Sequence, residues 1–191
     1  MVKLPELHII PKTGKEKFTL TENSLDIQLN EFWSWNQSNL VENRTRGILA
    51  EFIVKKAPKV RVDIRVEWDN YDLVSHSGNK IEVKSAAYIQ SWEQKSFSNI
   101  TFGISKSTGS KDHPDYDGKY RRWSDFYIFC LLKHKEQKTI NPLNLDQWTF
   151  YILKTEVLNT QVPEQKSISL SSLLKLNPNK CSFQEISSII E

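Results

Sequence analysis

Residues 71–92 read YDLVSHSGNKIEVKSAAYIQSW, and the pairing of this stretch decides the fold. Two runs rich in β-branched residues, YDLVS and KIEVKS, flank the turn signal HSGN, which is the pattern of a β-hairpin. A three-residue loop of His76, Ser77 and Gly78 is a type I turn followed by a left-handed residue, and it puts glycine where positive φ is needed. Ser75 then faces Asn79, Leu73 faces Ile81 and Asp72 faces Glu82. Side chains alternate with period two, so Lys84 joins Asp72 and Glu82 on one face while Leu73, Ile81 and Val83 take the other. A two-residue turn would pair Asp72 with Val83 and scatter the charges, so the constellation depends on register.

Two carboxylates placed opposite each other repel by a few tenths to about 1 kcal/mol, and something should compensate. A hard cation such as Mg²⁺ takes one or two carboxylates together with waters and phosphate oxygens, which an Asp72–Glu82 pair could supply. Lys84, two residues on, could hold the attacking water and offset charge on a phosphate. The competing reading makes Asp72 and Glu82 solvated residues of a half-exposed hairpin, with Lys84 a surface ion-pair partner worth little.

Upstream of the hairpin, SNLVENRTRGILAEFIVKKAP carries a helical pattern with Leu40, Ile48, Leu49, Phe52, Ile53 and Ala57 on one face, stopped by Pro58. RVEW (residues 65–68) precedes the hairpin as a further strand of an antiparallel meander, and NITFGIS later in the chain reads as a further strand. DFYIFCLL is apolar without alternation, the mark of a central strand covered on both faces. WTFYIL reads as a strand, with short helical pieces around TEVLN, SLSSLLKL and SFQEISSII. The order of elements predicts an α/β (α+β) fold, a mixed central sheet flanked by helices. With 191 residues and no internal repeat or convincing linker, one domain spanning 1–191 is expected.

These residues resemble the PD-(D/E)xK nuclease superfamily: an Asp opening one strand (Asp72), Glu-x-Lys on the next (Glu82-Val83-Lys84) and a Glu on a preceding helix (Glu51). The longer pattern RGILAEFIV, EWDNYDLV and KIEVKSAAYIQSW is similar to stand-alone bacterial restriction-endonuclease-like proteins, and the similarity continues through NPLNLDQWTFYIL and SISLSSLLKL. Tyr71 stands where that pattern often has proline. The resemblance implies a restriction-endonuclease-like core and a Mg²⁺-dependent hydrolase of DNA phosphodiesters, with Mn²⁺ as a substitute ion. It assigns Asp72 and Glu82 as metal ligands with the Val83 carbonyl contributing, Lys84 as the catalytic lysine, and Glu51 as a group acting through water on the ion.

Glu51 and Lys55 stand four apart and could equally form a helical ion pair worth about 0.2–0.5 kcal/mol. Gly47, one turn earlier, leaves room for close approach of the sheet. Asp69 competes with Asp72 but has opposite parity on a continuous strand. Gln90 falls on the face of Lys84 if the strand persists that far, and some branches of the superfamily carry a functional glutamine after the lysine; an exposed amide at a strand end is the alternative.

The long polar connection KSTGSKDHPDYDGKYRRW offers Lys106, Lys111, Lys119, Arg121 and Arg122 beside Trp123, a mixture suited to phosphate neutralisation and base stacking. Asp112, Asp115 and Asp117 dilute that charge, so a solvated loop is the alternative. Trp33 and Trp35 are stacking candidates, although tryptophans two apart more often pack a core. His76 reads as a turn residue.

The net charge of +3 permits an anionic partner without demanding one. No G-x-x-x-x-G-K-[ST], G-x-G-x-x-G, nucleophile elbow or H-E-x-x-H is present, which removes the minimal apparatus of nucleotide hydrolysis, dinucleotide binding, esterase and zinc protease chemistry. Cys130 and Cys181 lie far apart and are expected to be buried thiols. No segment reaches the ~20 apolar residues of a membrane span, and the opening MVKLPELHIIPKTGKEKF lacks a signal core, so a cytoplasmic protein is expected. The expected partner is DNA in a restriction, defence or repair setting; RNA as substrate, a non-catalytic nucleic-acid-binding or assembly module, and a homodimer are left open.

Overall fold

Near the start of the chain, Lys17–Leu20 (β1) and Asn23–Gln28 (β2) pair antiparallel through a two-residue turn in which Thr21 and Glu22 both have positive φ, at 48° and 66°. That is the backbone whose twist matches a hairpin, although neither residue is one that adopts it readily. The helix Leu29–Gln37 (α1) follows, begun by a capping box in which the Gln28 N–H donates to Glu31 Oε1 at 2.6 Å. No residue of α1 is buried, and Trp35 is 82% exposed, so the tryptophan pair does not pack one face into a core. The structure is a computed structural model that describes residues 4, 7–57, 60–61, 70–111, 113 and 116–190. Pro58, Asp69, Asp112, Asp115 and the RVEW segment (65–68) lie outside the described residues.

Residues 1–39 form one unit and residues 40–191 a second. The second opens with the helix Asn43–Lys56 (α2), five residues later than the sequence pattern suggests. Its first turn is set by the Glu42 side chain, which accepts the N–H groups of Arg44 and Thr45 at 2.9 and 3.0 Å. Its buried face is Arg46, Ala50, Ile53 and Val54, whereas Phe52 is 53% exposed. The small residues Ala50 and Val54, together with Arg46, make the contact that larger apolar neighbours were expected to make.

A six-stranded sheet follows in the order β10-β8-β7-β5-β4-β3, built from Val60–Arg61 (β3), Leu73–Ser75 (β4), Lys80–Ala87 (β5), Phe126–Leu132 (β7), Trp148–Lys154 (β8) and Asn179–Cys181 (β10). Thr101–Gly103 (β6) leaves this sheet and pairs with Ser167–Ser169 (β9). The strands β5 and β7 run parallel, from Ile81 opposite Phe126 to Ala87 opposite Leu132, and the other pairs are antiparallel. The sheet is therefore mixed, as expected, and FYIFCLL is its central strand β7. Ile128, Cys130 and Leu132 enter one core with Ile53, Val54, Ile81, Val83 and Phe150. Tyr127, Phe129 and Leu131 enter the other with Phe102, Ile104, Leu158 and Leu173. Helix Thr155–Gln161 (α3) and helix Leu170–Lys175 (α4) supply Leu158 and Leu173 to the second core, and helix Ile186–Ile189 (α5) supplies Ile186 to the first. Covering on both faces explains the unbroken apolar run, because neither side of β7 meets water. Cys130 and Cys181 are buried and free. Among the described residues no helix is long and apolar enough to cross a membrane.

Candidate active site

The β4–β5 hairpin has the expected register, Leu73 opposite Ile81 and Val74 opposite Lys80. Ser75 N–H donates to Asn79 O at 2.9 Å, and Gly78 N–H donates back to Ser75 O at 3.1 Å. Gly78 has φ of +88°, and a Cβ added there would meet nothing within 4 Å. The cost of Gly78→Ala is therefore purely conformational. We expect a loss of about 1–2 kcal/mol in denaturant unfolding with the sheet otherwise intact; an unchanged midpoint would mean that the turn does not need its left-handed residue. His76 is exposed in the same turn.

Beyond Leu73 the two strands part, and Asp72 sits at the fork. Its N–H donates to Ile81 O at 3.0 Å, and its carboxylate Oδ2 accepts the Val83 N–H at 2.6 Å. One carboxylate oxygen thus does the work of a backbone acceptor, and among the described residues Oδ1 takes no hydrogen bond. Ile81 and Val83 point into the core beneath α2, so alternation places Glu82 and Lys84 on the opposite side of β5. There the Lys84 ammonium donates to the Glu82 carboxylate, with both side chains only partly exposed.

These groups act on one another electrically. Burial, with the Glu82 charge next in size and that of Glu51 also adding, pushes the Asp72 carboxyl up to about 7, against the pull of Lys84 and the Val83 N–H. Burial alone would lower the Lys84 ammonium, but the carboxylates of Glu82, Asp72 and Glu51 outweigh it and hold the amine above its ordinary value. Glu51, on α2, is therefore within electrostatic reach of the same cluster. Tyr127 was not expected in this neighbourhood. It lies opposite Glu82 on β7, and its phenol is raised by burial first and by Glu82 second. Its position follows from the parallel pairing of β5 with β7, which no local pattern encodes.

Among the described residues no group of three or more His, Cys, Asp or Glu side chains is arranged to hold a metal ion. The donors this site can offer are the carboxylates of Asp72 and Glu82 and the Val83 carbonyl, all hard oxygens. Few ligands of that type suit an ion that keeps several waters and takes phosphate oxygens, and they do not suit a closed zinc site.

Gln90 does not reach the face of Lys84, because β5 ends at Ala87 and the parity on which that placement rested ends with it. It is buried instead, with Nε2 donating to Ala87 O at 3.0 Å and Ser98 Oγ at 3.1 Å, and Oε1 accepting from Arg46 Nη1 at 3.2 Å. Arg46, which the sequence reading overlooked, is 3% exposed, and burial draws its guanidinium down to about 10. An arginine on the inward face of a helix that otherwise presents alanine, isoleucine and valine was the available signal.

The basic loop is largely consumed internally. Arg122 is buried and donates to the carbonyls of Ile104, Val162, Pro163 and Gln165 and to Asn159 Oδ1, so it has no side chain to spare for phosphate. Trp123 is buried, its Nε1 donating to Ser107 O, and it is no stacking platform. Lys106 pairs with Glu164 at 2.8 Å, and Arg121 pairs with Asp117 at 2.8 Å while lying 3.9 Å over the Trp123 ring. Lys119 stands 3.6 Å from Asp117, and Lys111 is exposed.

The family model described as bacteriophage T4 endonuclease IV matches residues 11–172, most of the chain. No curated protein matches it.

Proposed function

We propose, from the premise that this chain belongs to the bacteriophage T4 endonuclease IV family, that it is a Mg²⁺-dependent DNA endonuclease of the PD-(D/E)xK type, acting in the cytoplasm in restriction, defence or repair. The observation that carries this reading is the cluster at the fork of the hairpin. A partly buried Asp72 carboxyl, a Glu82–Lys84 ion pair and the Glu51 charge lie within electrostatic reach of one another.

Asp72, through Oδ1, and Glu82 would hold the ion, with the Val83 carbonyl as a third oxygen. When bound, the ion supplies Lewis-acid stabilisation of the phosphate and a more acidic water. Mn²⁺ should serve as a substitute. The rest falls to the chain's own side chains. Lys84, kept protonated by three neighbouring carboxylates, donates to the attacking water and to a non-bridging phosphate oxygen, where negative charge builds up. Glu51 accepts a hydrogen bond from a water entering on the α2 side. The Val83 N–H fixes the Asp72 carboxylate, so its orientation does not have to be found when substrate arrives.

Incubation of the purified chain with supercoiled, linear and single-stranded DNA tests the proposal directly. Cleavage is expected with Mg²⁺ or Mn²⁺ and none with chelator. Conversion of supercoiled to open circles marks internal cutting. Undiminished cleavage in chelator, or cleavage of RNA but not DNA, would overturn the respective part of the reading.

A further inference from the structure

On the α2 side of β5, one residue on from Lys84, lies a polar pocket of about 400 Å³, lined among others by Asn43, Arg46, Ser85, Gln90, Trp92 and Asn99. Among the described residues the last β4–β5 pair is Leu73 with Ile81, and Ser85, which lines the pocket, directly follows Lys84 in the chain. A chain of nucleotides passing the cluster can reach the pocket around this stretch of β5.

The floor of the pocket is built rather than incidental. Arg46 Nε donates to Ser85 Oγ at 3.1 Å, Nη1 to Val41 O at 2.7 Å and to Gln90 Oε1 at 3.2 Å, and Nη2 to Asn43 Oδ1 at 2.7 Å. Among the described residues these contacts use four of the five guanidinium N–H groups and leave one on Nη2. Gln90, which presents its oxygen to Arg46, is itself fixed by Ala87 and Ser98. The rim carries exposed Asn43 and Asn99 and the half-exposed ring of Trp92.

We infer that this pocket is a nucleobase subsite: it seats the base of a nucleotide flanking the cleaved phosphate, with Arg46 giving its remaining N–H to an acceptor on the base edge. The inference rests on the nuclease reading of the neighbouring cluster. Phosphate is the poorer occupant. A phosphate accepts only and favours two parallel donors from one guanidinium, whereas here a single N–H is left. Amides on the rim both donate and accept, which matches a base edge, and Trp92 offers a face for stacking. Gln90 is thus a positioning residue for Arg46.

Two readouts separate this inference from the nuclease reading. In chelator, short single-stranded oligonucleotides carrying 5-iododeoxyuridine are irradiated with the full chain and the adducts mapped by mass spectrometry. With Mg²⁺, cut ends from a randomised DNA pool are sequenced for the parent, Asn99→Ala and Arg46→Lys. We expect an adduct on Trp92, and a base preference at one position beside the cut that falls about fivefold or more in each variant, the loss of one base contact. The Trp92 adduct should fall with it, while adducts elsewhere persist. No adduct on Trp92, or an unchanged preference in Asn99→Ala, overturns the subsite. A Trp92 adduct that depends on Asn99, with no cleavage of any DNA, removes the nuclease reading and leaves the base seat standing. If Arg46→Lys fails to fold, Asn99→Ala, altered only at the exposed rim, decides alone.

Discussion

Lys84→Ala is expected to lower DNA cleavage about 10³-fold, the cost of removing one well-placed donor to developing negative charge. Affinity for Mn²⁺ should stay the same or rise slightly. Both expectations come from the company the ammonium keeps: it donates to Glu82, and Asp72 and Glu51 are also close enough to raise its pKa. Removing it takes a positive charge from the path of the phosphate and leaves the carboxylates more negative, which a cation favours. Asp72→Ala should instead weaken ion binding and cleavage together, because it deletes a ligand. Single-turnover cleavage and calorimetric Mn²⁺ titration of both variants check this. A folded Lys84→Ala protein that cuts at the parental rate would remove the lysine from the mechanism, and Mn²⁺ binding unaffected by Asp72→Ala would remove the ligand.

Asp72→Asn should make the chelated protein more stable at about pH 8, by about 1–3 kcal/mol. The sign follows from the direction of the shift. The folded carboxyl titrates near 7 and an ordinary one near 3.8, so between these values the folded state holds a proton that the unfolded state has released. Stability contributed by that proton is complete below the ordinary value and is lost as pH rises towards 7. Above 7 the folded chain carries a partly buried carboxylate close to the Glu82 charge. Asparagine keeps the shape and an oxygen for the Val83 N–H but has nothing to ionise, so its stability should be flatter across this window. Excess Mg²⁺ should reverse the ranking, since an ion that binds only the folded parent stabilises it by mass action. Thermal unfolding from pH 4 to 8, with chelator and with Mg²⁺, measures the crossing; a chelated variant less stable than the parent at the upper end would make the pair a structural network.

The parts of this site that could be read from sequence are those set by local backbone chemistry. Gly78 fixes the hairpin turn, the turn fixes the register, and register with alternation puts Glu82 and Lys84 on one side and Ile81 and Val83 on the other. The apolar run at 126–132 announced a strand covered on both faces, and it is one. Gln90 was misplaced because parity says nothing about where a strand stops, and β5 stops where Gln90 is drawn inward by Ala87, Ser98 and Arg46. Arg46 and Arg122 were missed or misassigned for a shared reason. A long side chain with five donors can be buried where several oxygens gather, and those oxygens come from segments distant in sequence. The partners of Arg122, for example, lie 18 to 43 residues away.

The Arg122 contacts also bear on how the protein can vary. The guanidinium ties Ile104 to the end of α3 and the turn after it, and Ser107 exchanges both of its backbone hydrogen bonds with Arg121. The connection from Ser107 to Arg121 is thus closed at its base, as a drawstring closes a bag. Beyond Ser110, whose N–H is held by Asn70 Oδ1, lengthening the chain inside that closure costs mainly loop entropy, about 0.6 kcal/mol for each doubling, and leaves the sheet's anchorage as it was. Insertions and deletions among related sequences should therefore gather within this excursion, while its two ends keep their spacing from the strands they serve.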